Sequence, residues 1–140
     1  MRVLMKTEIN AASAEVWKII SDFNLTSKYI DAVESSDMEG SGVGAIRTLT
    51  LKDGVQVVER LESMDDQAKI LSYSIIKSAL PIDDYVSTMK VRDIDNNRCE
   101  LEWSSIFTPR GVSEDEAEKI PETIYAMGFE GIKRLLGTEK

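Results

Sequence analysis

The sequence predicts an α+β fold in which a seven-stranded antiparallel sheet wraps around one long C-terminal helix, with two short helices after the first strand. Three observations predict this arrangement. Apolar and polar residues alternate with a period of two through the middle of the chain, which is typical of half-buried strands. Short turn signals separate the alternating runs, and short turns join antiparallel strands. From residue 113 onward the apolar residues recur at helical spacing instead.

Size and composition indicate one globular domain over residues 1–140, because 42% of the residues are hydrophobic and 30% are charged. The net charge is −8 without a basic stripe, so we expect no nucleic-acid partner and no attraction to an anionic membrane surface. No run approaches the roughly 20 apolar residues of a membrane span, and the N-terminus lacks the apolar run of a signal peptide. We therefore expect no membrane insertion and a cytoplasmic location.

The residue types limit the chemistry. The sequence has no histidine and one cysteine, Cys99. This excludes an internal disulfide, a Ser–His or Cys–His catalytic pair, histidine as a metal ligand and a zinc site made of cysteines alone. We expect no cofactor and no metal, and we expect Cys99, within an alternating run, to be a small buried strand residue.

The first quarter of the chain predicts one strand and two helices. Residues 2–9 alternate as a strand. Ser13 is a candidate N-cap for a helix that runs to about Asp22, and a second short helix fits 26–32. The apolar stripe of the first helix consists of Val16, Trp17, Ile20 and Phe23, and Tyr29 and Ile30 are expected to face inward.

The period then changes to two. The further strands are predicted over 33–39, 45–51, 55–64, 70–76, 85–91 and 98–107. Asp53-Gly54 is a hairpin signal of the type in which both turn residues adopt positive φ. Gly40-Ser41-Gly42 marks another turn. Six consecutive strands joined in this way predict an antiparallel meander, which can curve around a helix.

The C-terminal helix is predicted from about residue 113 to 136. Ser113 and Glu116 form a candidate capping box at its start, and Pro121 should kink it. One face carries Ala117, Ile120, Ile124, Gly128, Gly131 and Leu135. A helix laid across a curved sheet leaves space beneath it, so the two glycines either thin the helix above that space or allow it to pack closely on the sheet.

The order of the elements and the segment 15–23 resemble the START-like superfamily, also called the polyketide cyclase/dehydrase and lipid-transport or Bet v 1-like superfamily. Within it, the chain is most similar to the plant abscisic-acid receptors and their bacterial relatives. The stretches that carry this resemblance are 44–47, 59–62, 71–75, 84–87 and 109–116. The resemblance implies a helix-grip fold with a ligand cavity between the sheet and the C-terminal helix.

The resemblance also implies which residues line the cavity. Polar pocket residues of the receptors fall at the positions of Glu59, Tyr85, Ser87 and Glu102, and apolar contacts from the receptor helix fall at Ile120 and Ile124. Three positions depart from the receptor pattern. The lysine that meets the ligand carboxylate falls at Ile30, the gate loop shrinks to a tight Asp53-Gly54 hairpin, and the latch residues fall at Leu80 and Pro81. These departures argue against a receptor-type hormone switch and against the receptors' phosphatase partner. A homodimer is compatible with the sequence.

Alternation independently indicates which residues face the cavity. It places Val55, Val57, Glu59 and Leu61 on one face, with Leu71, Tyr73 and Ile75, and then Tyr85, Ser87 and Met89, on the following strands. Glu59 is the exception among these apolar residues, because burying an unpaired carboxylate is costly. It is either a ligand-facing acid with a raised pKa or the partner of a structural ion pair with Arg47, which would lower its pKa.

Glu102 is ambiguous, since alternation points Leu101 and Trp103 inward whereas the resemblance points Glu102 inward; a bulge could reconcile the two. The expected function is a carrier or sensor that binds a small hydrophobic molecule with a polar end. The alternative is a cyclase or dehydratase that uses Glu59 and Tyr85 as acid and base groups. The expected ligand-binding residues are Arg47, Val57, Glu59, Tyr73, Ile75, Tyr85, Ser87, Glu102, Ile120, Ile124 and Gly128.

Overall fold

The computed structural model describes residues 1–138. The strands are β1 (Arg2–Ile9), β2 (Val33–Glu39), β3 (Ile46–Leu51), β4 (Gln56–Asp65), β5 (Ile70–Ser78), β6 (Ile82–Asp95) and β7 (Arg98–Pro109). The helices are α1 (Ser13–Ile20), a short 3₁₀ helix (Thr26–Lys28) and α2 (Glu114–Leu136). The predicted helix-grip α+β fold is confirmed.

The seven strands form one antiparallel sheet in the order β1-β7-β6-β5-β4-β3-β2. The first strand therefore lies beside the last, with Thr7 opposite Leu101. The register between β4 and β5 shifts between Val58 and Glu59 and again between Leu61 and Ser63. Such irregularities bend a sheet and increase its twist, and the concave face that results is the one that receives α2.

Strand β6 is longer than predicted, at 14 residues. It begins at Ile82 rather than at Tyr85, because Ile82 pairs with Pro109 of β7. The register against β7 shifts between Asp83 and Val86, so alternation is interrupted after Ile82 and is regular only from Tyr85 onward, with Tyr85, Ser87, Met89 and Val91 buried. Pairing with a long neighbour therefore extends this strand into a segment whose sequence, with a proline just before it, resembled a loop.

The start of α1 differs from the prediction. Ala12 is the N-cap residue, with φ −65° and ψ 146°, and no side chain caps this helix. Ser13, the predicted cap, is the first helical residue and is buried. The helix ends at Ile20, and the Asp22 carboxylate then accepts a hydrogen bond from the Asn24 N–H at 3.2 Å. Such local side-chain bonds compete with the helical pattern.

The second predicted helix, over 26–32, is only the three-residue 3₁₀ helix Thr26–Lys28. The Ile30 N–H still bonds to the Thr26 carbonyl at 2.9 Å, and the Val33 N–H bonds to the Ile30 carbonyl at 2.9 Å. The chain therefore turns directly into β2. Tyr29 and Ile30 are buried, as expected.

The Asp53-Gly54 hairpin is present, but its turn is of another type. Of its residues only Gly54 has positive φ, at 88°. The Leu51 carbonyl accepts from the Gly54 N–H at 2.9 Å, and the Leu51 N–H donates to the Val55 carbonyl at 2.8 Å. The Asp53 carboxylate accepts from the Val55 N–H at 2.9 Å. This bond holds Asp53 in place, and the loop has three residues rather than two.

Helix α2 begins with one bond of the predicted capping box, in which Ser113 accepts a hydrogen bond from the Glu116 N–H at 3.2 Å. The return bond from the Ser113 N–H to the Glu116 side chain is not found among residues 1–138. Its buried residues include Ala117, Pro121, Tyr125, Phe129 and Ile132. This stripe is centred one position further along the helix than predicted. Leu135 is consequently 47% exposed, and the prediction that it faces inward is wrong.

The two helix glycines allow close packing. A Cβ at Gly131 would lie 1.7 Å from the Tyr29 carbonyl oxygen, and one at Gly128 would lie 2.4 Å from Cζ3 of Trp103. Both distances are far below van der Waals contact, so any larger residue would push α2 away. Of the two alternatives for these glycines, the structure shows close packing.

Within residues 1–138, no helix is both long enough and apolar enough to cross a membrane.

Candidate functional site

A cavity of about 390 Å³ lies between the concave face of the sheet and α2. Strands β2 to β6 form one side, and the second and third turns of α2 form the other. Its lining residues are Thr26, Ile30, Val33, Arg47, Leu49, Leu51, Val57, Glu59, Tyr73, Ile75, Leu80, Ile82, Tyr85, Lys119, Ile120, Pro121, Thr123 and Ile124. Most of these side chains are apolar, so the cavity suits an apolar guest.

The polar part of the lining is an ion pair between neighbouring strands. Arg47 of β3 lies directly opposite Glu59 of β4 in the register. Arg47 Nε donates to Glu59 Oε1 at 2.8 Å, and Nη2 lies 2.7 Å from the same oxygen. The side chains are only 5% and 7% exposed. The predicted ion pair between Arg47 and Glu59 is therefore present, and both residues line the cavity.

Arg47 is also fixed from its other side. Its Nη1 donates to the Phe23 carbonyl at 2.8 Å and to the Thr26 hydroxyl at 2.7 Å. The guanidinium carbon lies 3.9 Å from the centre of the Phe23 ring and 4.8 Å from that of Tyr73. Aromatic faces attract cations, so the segment after α1 holds this guanidinium in one orientation.

Burial is the largest influence on the pKa values of Glu59 and Arg47. Burial raises the pKa of the Glu59 carboxyl, and Arg47 only partly opposes this rise. The lowered pKa that the ion-pair interpretation implied is therefore not what this environment produces. Burial works against the charge of Arg47, but Glu59, Tyr29 and Tyr73 hold the pKa of the guanidinium above its ordinary value. Arg47 stays charged, and Glu59 is the member of the pair that can take up a proton.

A hydroxyl network lies beside this pair. The Tyr85 and Tyr125 hydroxyls are hydrogen-bonded 2.5 Å apart, and Tyr125 is bonded to Ser87 Oγ at 3.1 Å. Trp103 Nε1 donates to Ser87 at 3.0 Å and to the Tyr73 hydroxyl at 3.1 Å. The Trp103 and Tyr125 rings stack 4.3 Å apart. Burial raises the pKa of Tyr73 and Tyr85 well above the ordinary value, so both phenols stay protonated.

The structure brings most of the predicted site together. The predicted residues that line the cavity are Arg47, Val57, Glu59, Tyr73, Ile75, Tyr85, Ile120 and Ile124. Three do not line it. Ser87 faces inward but is fully buried and bonds to Trp103, Tyr125 and the Ser104 carbonyl. Gly128 lies against the Trp103 ring.

Glu102 is the third, and it lies on the opposite face of the sheet. Its carboxylate is 30% exposed and lies 3.9 Å from Lys6 Nζ. The register against β1 is regular here, with Met5 opposite Trp103 and Lys6 opposite Glu102, so no bulge turns it inward. Alternation alone gave the right answer, with Leu101 and Trp103 buried.

Sequence reasoning missed several lining residues. Lys119 and Thr123 flank Ile120 and Ile124 on α2, and helical spacing could have identified them. Thr26 lines the cavity and is also a partner of Arg47. Nothing in the local sequence marks Thr26, because its contact with Arg47 spans 21 positions. Among residues 1–138, no group of three or more histidine, cysteine or acidic side chains is placed to hold a metal ion.

Comparison with known proteins gives a family match over nearly the whole chain. The family model for "polyketide cyclase / dehydrase and lipid transport" matches residues 1–137. Abscisic acid receptor PYL2 of Arabidopsis thaliana is 25% identical over 138 residues, covering 91% of this chain and 73% of the receptor. Abscisic acid receptor PYL6 of the same plant is 24% identical over 140 residues, covering 91% of this chain. The match spans 65% of the length of PYL6.

Solved structures agree with this match. XoxI from Bacillus cereus has a TM-score of 0.89 and 30% identity, covering 96% of this chain and 94% of XoxI. Norcoclaurine synthase from Thalictrum flavum, solved with dopamine and hydroxybenzaldehyde, has a TM-score of 0.76 and 19% identity, covering 100% of this chain and 88% of the synthase. The second likeness shows a shared fold only.

Proposed function

The chain belongs to the polyketide cyclase/dehydrase and lipid-transport family, and from this premise we propose that it binds a small apolar molecule with a polar end, as a carrier or sensor. The observation that carries the proposal is the cavity of about 390 Å³, whose apolar lining surrounds one buried ion pair. Protein interiors are otherwise close-packed, and cavities of roughly 300–1,000 Å³ are typical of small-molecule sites.

The positions that depart from the receptor pattern support a simple binding module. Ile30 is buried and gives the cavity an apolar wall. The 52–54 loop is a tight three-residue hairpin, and Leu80 adds another apolar side chain to the lining. This arrangement favours a carrier or sensor of an apolar molecule over a hormone switch with a phosphatase partner.

Two neighbouring valines of β4 test the proposal. Val57 lines the cavity, whereas Val58 is half-buried on the opposite face of the same strand. Val57→Phe should fill the cavity and weaken binding of the uncharged probe phenylnaphthylamine at least tenfold, which corresponds to about 1.4 kcal/mol. Val58→Phe is the matched control and should bind the probe as the unmodified protein does.

Circular dichroism would verify that both variants fold. Equal probe affinity in the two folded variants would refute the cavity as the binding site. Native mass spectrometry of the purified protein should in addition detect a co-purified small molecule that Val57→Phe loses.

A second candidate is a cyclase or dehydratase, and it rests on Glu59. Burial raises the pKa of this carboxyl, and a general acid needs its proton near neutral pH. Tyr85 lines the same cavity and is the candidate for the second acid/base group. Titration of a carbon-13-labelled Glu59 carboxyl by NMR tests this role. A pKa at or below about 4.3, the ordinary value, would exclude Glu59 as a general acid and leave only binding.

A further inference from the structure

The polar end of the cavity has an unused acceptor at Glu59. Both contacts from Arg47 go to Oε1. The second oxygen, Oε2, receives no hydrogen bond from any residue in the described range 1–138. Glu59 lines the cavity and is 7% exposed. A carboxylate oxygen in such a place favours a partner that donates a hydrogen bond to it.

The cation of the pair is already committed. Of its five N–H groups, Arg47 directs Nε to Glu59 and Nη1 to Phe23 and Thr26. Nη2 lies 2.7 Å from Glu59 Oε1, so only one of its hydrogens remains for another partner. The charge of Arg47 is thus neutralised inside the protein, while one oxygen of Glu59 is left over.

Hydrogen-bond directions make Tyr85 an acceptor too. The Ser87 hydroxyl donates to the Ser104 carbonyl at 3.0 Å, and a carbonyl can only accept. The Ser87 proton is therefore used, so Tyr125 must donate to Ser87. Tyr125 then has no proton for Tyr85, so Tyr85 donates to Tyr125. Only lone pairs of the Tyr85 oxygen remain for the cavity.

The other polar groups near this end of the cavity do not supply a buried positive charge that could pair with a carboxylate. The Tyr73 hydroxyl accepts from Trp103 Nε1 and keeps its own proton as an uncharged donor, which brings no positive charge to offset a carboxylate. Lys119 is the other cation of the lining, but it is exposed on α2. Its charge is therefore solvated and screened by salt.

We propose that the ligand carries an uncharged hydroxyl at its polar end and that the Glu59–Arg47 end of the cavity rejects carboxylates. A hydroxyl donates to Glu59 Oε2 and accepts from the remaining Arg47 N–H, whereas a carboxylate would bring a second negative charge beside Oε2. An ammonium group would add positive charge beside Arg47 and has no lone pair to accept its N–H. This inference rests on the proposed function and names the chemical class of its ligand.

Four probes with one apolar body test the inference: butylbenzene, phenylbutanol, phenylbutyrate and phenylbutylamine, each displacing phenylnaphthylamine at neutral pH. Phenylbutanol should bind several-fold more tightly than butylbenzene, on the order of threefold to tenfold for one hydrogen bond. Phenylbutyrate should bind at least tenfold more weakly than phenylbutanol, because the cavity offers its charge no free counterion. Phenylbutylamine should also bind more weakly than phenylbutanol.

Variants should change the order of the probes. Glu59→Gln frees the Arg47 charge, so phenylbutyrate should overtake phenylbutanol. Tyr85→Phe keeps the ion pair and removes only an acceptor that the single hydroxyl proton, donated to Glu59, does not use, so it should leave the order of the probes as it was. Glu62→Gln makes the same chemical change on the outer face of β4, where Glu62 bonds to Arg60 and Ser74, and should leave the order as it was.

The outcomes separate the two proposals. Failure of all four probes to bind overturns the proposed function and this inference with it. Binding of butylbenzene together with equal or tighter binding of phenylbutyrate overturns only the inference. If Lys119→Met then abolishes phenylbutyrate binding, the carboxylate is held at the exposed Lys119 rather than at the buried pair.

Discussion

Removing the buried cation should strand a buried anion. The Glu59 carboxylate is 7% exposed in the unmodified protein, and in Arg47→Met it loses the one hydrogen-bond donor it has among residues 1–138. Breaking a buried pair in this way typically costs about 3–5 kcal/mol. The Phe23 carbonyl and the Thr26 hydroxyl lose their Arg47 bonds as well. A domain of this size has a free energy of unfolding of about 5–15 kcal/mol, so the loss should be large and measurable.

Glu59→Gln should cost less, because Arg47 keeps Phe23, Thr26 and both aromatic faces. Loss of a hydrogen bond to a charged group suggests about 1.5–3 kcal/mol. The double variant contains neither charge. It should therefore be more stable than Arg47→Met alone, even though it carries one more substitution.

The pH dependence has a definite sign. Burial raises the pKa of Glu59 in the folded protein, so the folded state binds this proton more readily than the unfolded state does. The contribution of Glu59 to stability is then largest below its unfolded pKa and falls as pH rises through the folded pKa. Without Arg47 the folded pKa should rise further. Arg47→Met should accordingly regain stability as pH is lowered from 7 toward 5, and more steeply than the unmodified protein.

Urea denaturation of the four proteins at several pH values measures these quantities. The exposed pair Arg60–Glu62 on the same strand is the matched control, and its removal should cost at most about 1 kcal/mol. A double variant as destabilised as the sum of its single changes would show that the two charges are not coupled. Together with a pH profile of Arg47→Met that matches the unmodified protein, it would refute the reasoning.

Three further measurements test the packing of the fold, the burial of Cys99 and the capping of the helices. Gly131→Ala would bring a methyl group to 1.7 Å from the Tyr29 carbonyl oxygen, so it should cost about 3 kcal/mol or more; an unchanged melting temperature would contradict this. Burial, with a smaller effect of Asp93, raises the pKa of the Cys99 thiol to about 11, so a thiol reagent at pH 8 should label the native protein on the order of a hundredfold more slowly than the denatured chain. Ser113→Ala should cost about 1 kcal/mol, whereas Ser13→Ala, at a position without a capping bond, should change stability by less than about 0.5 kcal/mol; equal urea midpoints for the two variants would contradict this.

Alternation predicted the cavity walls well because a strand has only two faces. Val57, Glu59 and Leu61 are buried on one face of β4, as a period of two requires. Alternation does not show whether an inward-facing side chain reaches the cavity or is covered by another residue. Ser87 faces the same way as Tyr85, but Tyr125 of α2 lies over it and bonds to it. Whether an inward residue meets a cavity or another side chain depends on the opposite layer, which the strand sequence does not contain.

The positions carried over by resemblance were less reliable where they disagreed with physical pattern. Glu102 was placed inward by resemblance and outward by alternation, and it lies outward beside Lys6.

Gly128 has helical spacing with Ile124, which lines the cavity, yet it packs on Trp103. Gly128 has no side chain where the Trp103 ring packs, and these two positions are 25 residues apart in the chain. Spacing along one helix cannot show such a contact.

The two interpretations of Glu59 are not alternatives, because they apply to different atoms. Oε1 belongs to the folded core, where Arg47 binds it. Arg47 is in turn held by Phe23 and Thr26, so the position of this oxygen is set by the segment that follows α1. Oε2 takes no part in that network. Since rotation of the carboxylate would break the Arg47 contacts, the ion pair also fixes the direction in which the second oxygen would meet the ligand that we propose.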